Sequence, residues 1–336
     1  MTVRFGINGF GRIGRALARI AHDRPELGLE LVQINDPATP GQLARLLRLD
    51  TVHGRFPAEV EAASDAIVVA GRAIPLSRAA TPEEIDWSLG GPTVVLEATG
   101  RFRGRDLAAG HLGGAVAHVV VSATVPDADV TLCLGINDAA LDRARHRVIS
   151  NASCTTNCLA PVAKVLNDAV GIETGFMTTI HAYTGDQPTL DTMHKDLYRG
   201  RAAALSMIPT STGAAKAVGL VLPELNGKLD GVAIRVPTPN VSVIDFKFVA
   251  SRKTDVGEIN KAVKLAAANQ LKGILGWTDQ PNVSIDFNHD PHSSTFHMDQ
   301  TKVMDGTLVR VMSWYDNEWG FSNRMADTAV AMGKLI

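Results

Sequence analysis

The sequence predicts a two-domain α/β protein, with a doubly wound, mostly parallel sheet in the first domain and a mainly antiparallel sheet in the second. The chain has 336 residues, enough for two domains that each bury a core. Short apolar strands alternate with helical stretches up to about residue 150, which is typical of parallel sheets with crossover helices. Beyond that point the strand candidates are longer and partly alternate between apolar and polar residues, as expected where one face is covered.

The first domain opens with a strand over 2–8, an amphipathic helix over 12–22 and a strand over 29–34. Ile13, Leu17 and Ile20 recur at the spacing of one helix face. The later elements are less regular: strands are predicted over 66–70, 93–98, 118–122 and 131–136, and helices over 40–47 and 105–112.

The second domain opens with a helix over 154–169. Partly alternating strands are predicted over 241–248 and 307–314, and helices over 256–271 and 321–335. No repeat or flexible linker separates the two halves, so the boundary near residue 150 is a tight junction of a kind that commonly holds active sites.

Composition excludes several classes of protein. A formal net charge of −2 provides no basic field for nucleic acid, and the apolar runs are too short to span a membrane. The segment 1–5 lacks the features of a signal peptide. Three cysteines form no disulfide framework and favour a reducing compartment. We therefore expect a cytoplasmic protein.

Gly9, Gly11 and Gly14 form a GxGxxG motif between the first strand and the first helix. Such glycines allow a tight turn, close approach of a pyrophosphate and close helix packing, and the helix N-terminus attracts phosphate. The motif alone could be a simple glycine turn. Asp36, however, ends the second strand about 20 residues downstream, where a carboxylate binds a ribose 2′-hydroxyl. The sequence thus predicts a Rossmann-type domain that prefers NAD to NADP, because Asp36 would repel a 2′-phosphate.

Cys154 is the candidate nucleophile. Ser153 is a plausible N-cap, and a thiol in the first helical turn should have a lowered pKa. Cys133 and Cys158 are expected to be buried and inert, Cys133 within a strand. A disulfide between Cys154 and Cys158 would strain the helix. Local context leaves Cys154 balanced between a nucleophile and another inert thiol.

His181 is the candidate base, although an isolated strand histidine is more often a satisfied core residue. The run that contains His289, His292 and His297 has no matching cysteines, so we expect a polar loop and no metal.

Five segments together resemble the glyceraldehyde-3-phosphate dehydrogenase family, in the family's order and across nearly the whole chain. They are 8–15, 150–157, 211–217, 235–240 and 314–318. The resemblance implies that Cys154 attacks an aldehyde to give a thiohemiacetal and that His181 serves as the base. Hydride transfer to NAD then leaves a thioester, which inorganic phosphate attacks to give an acyl phosphate. The Cys154 backbone N–H and His181 would stabilise the oxyanion.

The resemblance also implies two anion sites and a set of cofactor contacts. Thr184 and Arg235 match the substrate-phosphate site; Ser153, Thr212 and Gly213 match the site of the attacking phosphate, with Thr155 and Arg199 nearby. Without the family match, a surface salt bridge and a simple turn would be the preferred interpretations of Arg235 and of 212–213. The matching cofactor contacts are Gly9, Gly11, Arg12, Ile13, Gly14, Asp36, Ser122 and Asn317, the last of which holds the carboxamide.

The implied architecture is an NAD-binding domain over 1–152 and a catalytic domain over 153–317. A final helix, about 318–336, packs back onto the first domain. The segment 183–207 resembles a loop that approaches the cofactor of a neighbouring subunit, so a homotetramer is expected. The expected partners are glyceraldehyde 3-phosphate and inorganic phosphate, with no membrane and no dedicated nucleic acid.

Two alternatives remain at this stage. Phe321 and the segment 286–292 are similar to erythrose-4-phosphate dehydrogenase, although the intact segment 211–216 favours a phosphorylating enzyme. A binding protein that retains only the fold is opposed by the complete set of Cys154, His181, Arg235 and Asn317.

Overall fold

The computed structural model describes residues 2–142 and 144–333, whose contacts divide them into two units. The first contains the described residues of Met1–Leu132, Ala139–Ala152 and Ser322–Ile336; the second contains Cys133–Asp138 and Ser153–Phe321. The domain boundaries given from the sequence stay predictions. Residues 334–336, the end of the expected C-terminal helix, lie outside the described residues.

The first unit is built around a nine-stranded sheet. Its helices are α1 (Arg12–Asp23), α2 (Pro40–Arg48) and α3 (Arg105–Ala109). The unit's strands are β1 (Val3–Asn8), β2 (Leu29–Asn35), β3 (Leu49–Asp50), β4 (Gly54–Arg55), β5 (Val60–Ala62), β6 (Ala66–Val69), β7 (Arg72–Ser77), β8 (Val94–Glu97), β9 (His118–Val121), β10 (Val130–Thr131) and β11 (Val148–Ser150).

The strand order in this sheet is β10-β11-β9-β8-β1-β2-β7-β6-β5. Pairing is parallel from β10 to β7, and only β5, β6 and β7 pair antiparallel. The predicted mostly parallel sheet is confirmed. Phe5, Ile7 and Leu96 are almost fully buried on its central strands, so the β1 carboxyl end is held on both sides by packed neighbours.

The second unit is built around an eight-stranded sheet. Its helices are α4 (Cys154–Val170), α5 (Ala214–Val221) and α6 (Val256–Ala268), and α7 (Trp319–Gly333) runs on from it into the first unit. Its strands are β12 (Ile172–Ala182), β13 (Ile208–Ser211), β14 (Leu229–Val236), β15 (Ser242–Ala250), β16 (Leu275–Thr278), β17 (Ser294–His297), β18 (Lys302–Met304) and β19 (Leu308–Tyr315).

The order is β13-β14-β12-β15-β19-β17-β16, with β18 on β19. Only the β12–β14 and β16–β17 pairs are parallel, which confirms the mainly antiparallel prediction. Phe246, Phe248 and Phe296 are its largest fully buried side chains. α4 packs against α5, α6 and the sheet, which fixes the helix end that carries Cys154.

The strand predicted over 131–136 is wrong. The strand ends at Thr131. Gly135 has a left-handed φ of +86°, a conformation that occurs in turns and does not fit a strand. The Asn137 side chain accepts a hydrogen bond from Cys133 N at 2.9 Å and closes this turn. Cys133 is buried as expected, but in a turn rather than in a strand.

No helix within residues 2–142 and 144–333 is long and apolar enough to cross a membrane.

Candidate active site

Helix α4 places Cys154 at its first position. Ser153 is the N-cap, as predicted, because its Oγ accepts a hydrogen bond from Thr156 N at 3.0 Å. The Cys154 backbone N–H therefore belongs to the first turn, where helix donors have no partner within the helix. The residue is partly exposed, and its thiol lies at the positive end of the helix.

His181 lies beside Cys154 at the carboxyl end of β12. Cys154 Sγ is 3.5 Å from His181 Nε2. His181 Nδ1 is 2.6 Å from the Ala182 carbonyl oxygen, which can only accept a hydrogen bond. Nδ1 therefore carries the proton and Nε2 is free to accept one from the thiol. This arrangement of nucleophile, base and orienting group is the one that covalent catalysis needs.

Burial favours the neutral forms of both groups. Burial raises the pKa of the Cys154 thiol, and the Arg235 guanidinium and a hydrogen bond with Thr155 act in the opposite direction. Burial, followed by the charge of Arg235, lowers the pKa of His181 to about 3. Burial thus opposes the lowering predicted from the helix N-terminus, so activation of the thiol depends on His181 and on the nearby positive charge.

Tyr315, at the end of β19, packs beside Cys154 and His181 and contacts the elements that carry them. Its hydroxyl is 2.8 Å from both Thr155 Oγ1 and Thr179 Oγ1, and its ring meets the His181 ring edge to face. Burial raises the pKa of Tyr315 well above its ordinary value. The neutral phenol thus joins α4 to β12 and restricts both reactive groups.

A group of polar side chains next to His181 is suited to an anion. β12 and β14 pair in parallel with His181 opposite Arg235. Arg235 donates to Thr184 Oγ1 at 2.8 Å and to the Ala182 carbonyl at 3.1 Å, while its buried Nε has no partner among the described residues. The charge of Arg199 lowers the pKa of Arg235, after burial. Two guanidinium groups that repel each other and keep an unused donor are suited to binding phosphate.

Asp186 partly neutralises this group. It accepts from Arg199 at 3.1 Å and also from Thr184 Oγ1. Arg199 additionally donates to Thr210 Oγ1 at 3.0 Å. The structure therefore brings Arg199 next to Thr184 and Arg235, the two residues expected at the substrate phosphate. The resemblance had instead placed Arg199 near the site of the attacking phosphate.

The second expected anion site is less prearranged. Thr156 Oγ1 donates to the Ala214 carbonyl, so the Ser153 hydroxyl donates to Thr156 Oγ1 at 2.8 Å. Thr212 Oγ1 accepts from Ala214 N at 3.2 Å, and Gly213 caps α5 with open space around it. Thr155 is turned to Tyr315. The hydroxyl groups are thus engaged locally, and the open backbone at Gly213 is the accessible part of this site.

In the first unit, the three motif glycines occupy three different environments. Gly9 has a φ of +89°, and a Cβ there would lie 2.7 Å from Thr99 N. A Cβ on Gly14 would lie 2.2 Å from the Gly9 carbonyl oxygen. Around Gly11, the N-cap of α1, there is open space. The turn and the helix packing exclude side chains, while Gly11 leaves room for a pyrophosphate at the helix end, so these residues fit a dinucleotide.

Asp36 is fixed at the end of β2. Its carboxylate accepts from Phe10 N at 2.8 Å and from Ala38 N at 2.9 Å. Arg12 pairs with Asp50, and Ile13 follows it, partly exposed, in the first turn of α1. Ser122 follows β9 directly, with its N–H bonded to the Glu97 carbonyl. These residues belong to the first unit with the glycine turn.

Asn317 belongs to the second unit, where it is buried after β19. Ser242 Oγ donates to Asn317 Oδ1 at 2.8 Å and accepts from Ala182 N at 3.0 Å. Because its oxygen is occupied, Asn317 presents its amide N–H groups as donors. The neighbouring Asp316 accepts from Asn240, His289 N and Trp319 N and holds this loop in place.

The remaining cysteines and histidines have structural environments. Cys158 is buried against Ser294 and Ser313, and burial raises the pKa of Cys133 to about 12. His289 stacks on Trp319, and His292 bonds to Asp290. In the described part of the chain, no group of three or more His, Cys, Asp or Glu side chains could hold a metal ion.

Sequence reasoning assigned no role to Tyr315, Ser242 or Asp186. Tyr315 belongs to the segment 314–318 on which the family resemblance rests, and this position is the sequence signal that could have identified it. Ser242 carried none, because its partners Ala182 and Asn317 are 60 and 75 residues away along the chain.

Two protein-family models match the chain. Residues 3–105 match the NAD binding domain of glyceraldehyde 3-phosphate dehydrogenase, and residues 153–317 match its C-terminal domain. The chain is similar over its full length to glyceraldehyde-3-phosphate dehydrogenase of Xanthobacter flavus (66% identity over 335 residues, 100% of both chains). It is also similar to that of Cereibacter sphaeroides (62% over 336 residues, 100% of both) and to glyceraldehyde-3-phosphate dehydrogenase 1 of Bacillus cereus (54% over 329 residues, 98% of both).

Proposed function

Since the chain belongs to the glyceraldehyde-3-phosphate dehydrogenase family, we propose that it oxidises D-glyceraldehyde 3-phosphate to 1,3-bisphosphoglycerate with NAD and inorganic phosphate. The observation that carries this proposal is the 3.5 Å contact between Cys154 Sγ and His181 Nε2, with Nδ1 tied to the Ala182 carbonyl. It provides a nucleophile and a proton acceptor in one fixed geometry.

Catalysis begins at the thiol. His181 Nε2 accepts the thiol proton while Cys154 Sγ bonds to the aldehyde carbon, and the proton passes to the carbonyl oxygen to give a thiohemiacetal. The Cys154 N–H, at the end of α4, and the protonated His181 stabilise the negative charge on that oxygen. His181 then removes the hydroxyl proton as the hydride leaves the same carbon, and a thioester remains on Cys154.

NAD, when bound, supplies the hydride-accepting ring. Gly9, Gly11 and Gly14 shape its pyrophosphate site with Arg12 and Ile13 alongside, and Asp36 binds the ribose hydroxyls. Ser122 and Asn317 complete the set, with the Asn317 amide donating to the carboxamide. The charge of Asp36 favours NAD over NADP.

The anion-binding residues have separate tasks. Arg235 and Thr184 bind the substrate phosphate, supported by Arg199. Ser153, Thr155, Thr212 and Gly213 receive inorganic phosphate, whose oxygen attacks the thioester carbon. The carbon–sulfur bond then breaks, the acyl phosphate leaves, and Cys154 regains a proton from His181.

We also propose a homotetramer in the cytoplasm. The segment expected to approach a neighbouring subunit is unusually apolar for a surface: Met193 is 98%, Leu197 88% and Leu205 81% exposed. A surface of this kind is typical of one that another chain covers. Size-exclusion chromatography with light scattering tests this assembly.

The test of the reaction is NADH formation from glyceraldehyde 3-phosphate with and without inorganic phosphate, beside a parallel assay with erythrose 4-phosphate. We expect turnover that requires phosphate and prefers the triose. Turnover independent of phosphate, or a preference for the four-carbon sugar, would support the erythrose-4-phosphate alternative. Cys154→Ser should lower kcat at least ~1000-fold while NAD still binds; full activity in this variant would exclude the thioester route.

A further inference from the structure

A row of polar side chains, three buried and one half-buried, crosses the carboxyl ends of four neighbouring strands in the first unit. Ser77, Asn35, Asn8 and Glu97 are register partners on β7, β2, β1 and β8, and together they form the polar row. Asn35 Nδ2 donates to Asn8 Oδ1 at 2.8 Å, and Ser77 Oγ donates to Asn35 Oδ1 at 3.0 Å. Asn8 Nδ2 donates to Glu97 Oε2, so hydrogen bonds run without a break across the sheet.

Glu97 ends this row with a fully satisfied carboxylate. Oε1 accepts from Thr99 N at 2.8 Å and from the Thr99 hydroxyl. Oε2 accepts from Asn8 and lies 3.1 Å from His111 Nε2. Trp87 Nε1 donates to His111 Nδ1, so His111 carries its proton on Nε2 and donates it to Glu97. Glu97 and His111 are only 1% and 2% exposed.

Each part of the row adjoins a residue of the dinucleotide site. Asn8 precedes Gly9, and Asn35 precedes Asp36. Glu97 holds Thr99, whose backbone nitrogen lies against the position that a Cβ on Gly9 would occupy. The Glu97 carboxylate therefore holds both Asn8, just before the glycine turn, and Thr99, which packs against that turn.

Stability alone does not explain such a row. Well-packed apolar residues often stabilise a core as well as a buried polar network does, whereas a network specifies one arrangement of its members. A dinucleotide site needs that single arrangement, because its backbone donors must be in place before the ligand arrives.

We infer that the polar row, anchored by Glu97 and His111, positions the Gly9 turn, Thr99 and Asp36 for the dinucleotide. The members of the polar row and His111 are positioning residues, and we assign none of them a contact with the dinucleotide. The inference rests on the proposed NAD site.

Glu97→Gln tests this inference with little change in volume. An amide has one acceptor oxygen, so its NH₂ group would face two of the donors that now bond to the carboxylate. We expect the Kd for NAD, from fluorescence titration, and the KM for NAD to rise about tenfold, because charge-assisted bonds that hold the turn are lost. The kcat at saturating NAD and the KM for the aldehyde should stay within about twofold, because the second unit is unchanged.

His118→Asn is the matched control. His118 is, like His111, a buried histidine of the first unit, but it begins β9 at the amino end and bonds only the His146 carbonyl among the described residues. This variant should lower Tm without changing the Kd for NAD. If Glu97→Gln does not fold, His111→Asn tests the inference in its place, with the same expected rise in the Kd and the KM for NAD.

An unchanged Kd in the Glu97 or His111 variant, or an equal rise in the His118 control, would overturn the positioning role. Wild-type protein that binds no NAD would overturn the proposed function itself, and with it this inference.

Discussion

Replacing Ser242 by alanine should weaken both the fold and the use of NAD. Ser242 is 1% exposed, and its hydroxyl makes two hydrogen bonds: it accepts from Ala182 N and donates to Asn317 Oδ1. Alanine would leave the buried Ala182 N–H and the buried Asn317 Oδ1 without the hydroxyl that each now bonds to. Each such group costs about 1–3 kcal/mol, and together they should lower the free energy of unfolding by about 2–6 kcal/mol. At about 2–4 °C per kcal/mol for a domain of this size, Tm should fall by roughly 4–24 °C.

Ser293→Ala is the matched control for this prediction. Ser293 is 4% exposed, and its Oγ has no partner among the described residues, so its loss should shift Tm by less than about 2 °C. Calorimetry gives the Tm of both variants. The rate of NADH formation at varied NAD concentration gives the KM for NAD, which should rise only in Ser242→Ala, because the Asn317 amide then loses the bond that orients it. Equal melting temperatures and equal KM values in the two variants would refute the role given to the Ser242 hydroxyl.

Three further substitutions test other parts of the site. Arg235→Leu should raise the KM for the aldehyde phosphate at least ~30-fold, because a charged donor is lost. Since Arg235 lowers the pKa of Cys154, the same variant should move iodoacetamide alkylation to higher pH; an unshifted profile would contradict this electrostatic contribution. Asp36→Asn should raise kcat/KM with NADP about tenfold by removing a repelling charge, and no gain with NADP would exclude Asp36 as the discriminating residue. Tyr315→Phe should lower Tm by about 4–8 °C through the unpaired Thr155 and Thr179 hydroxyls, whereas Tyr198→Phe, at a 63% exposed position, should not.

Local signals predicted the parts of the site that depend on neighbours in sequence. Ser153 was identified as an N-cap because the cap bond reaches only Thr156, three residues away. The glycine turn and Asp36 were found because their spacing follows from one strand–helix–strand unit. In these cases the pattern in the chain and the contact in the fold cover the same few residues.

Contacts made through sheet register could not be predicted. His181 meets Arg235 because β12 and β14 pair in parallel, and although His181 was expected in a strand, nothing in the sequence indicated which strand lies beside it. Likewise, Asn8 and Glu97 are 89 residues apart and are joined only by the pairing of β1 with β8. The error at 131–136 has a local cause, since an apolar run predicted a strand where Gly135 and Asn137 form a turn.

The register of β12 with β14 has a consequence for substrate length. Paired strands lie about 4.8 Å apart, and their hydrogen-bond ladder resists stretching. Because His181 and Arg235 are opposite each other in that ladder, the sheet and not a loop sets the spacing between the residues that we propose as proton acceptor and phosphate ligand. In that proposal, an aldehyde phosphate with one more carbon would have to bend its chain or move its phosphate away from Arg235.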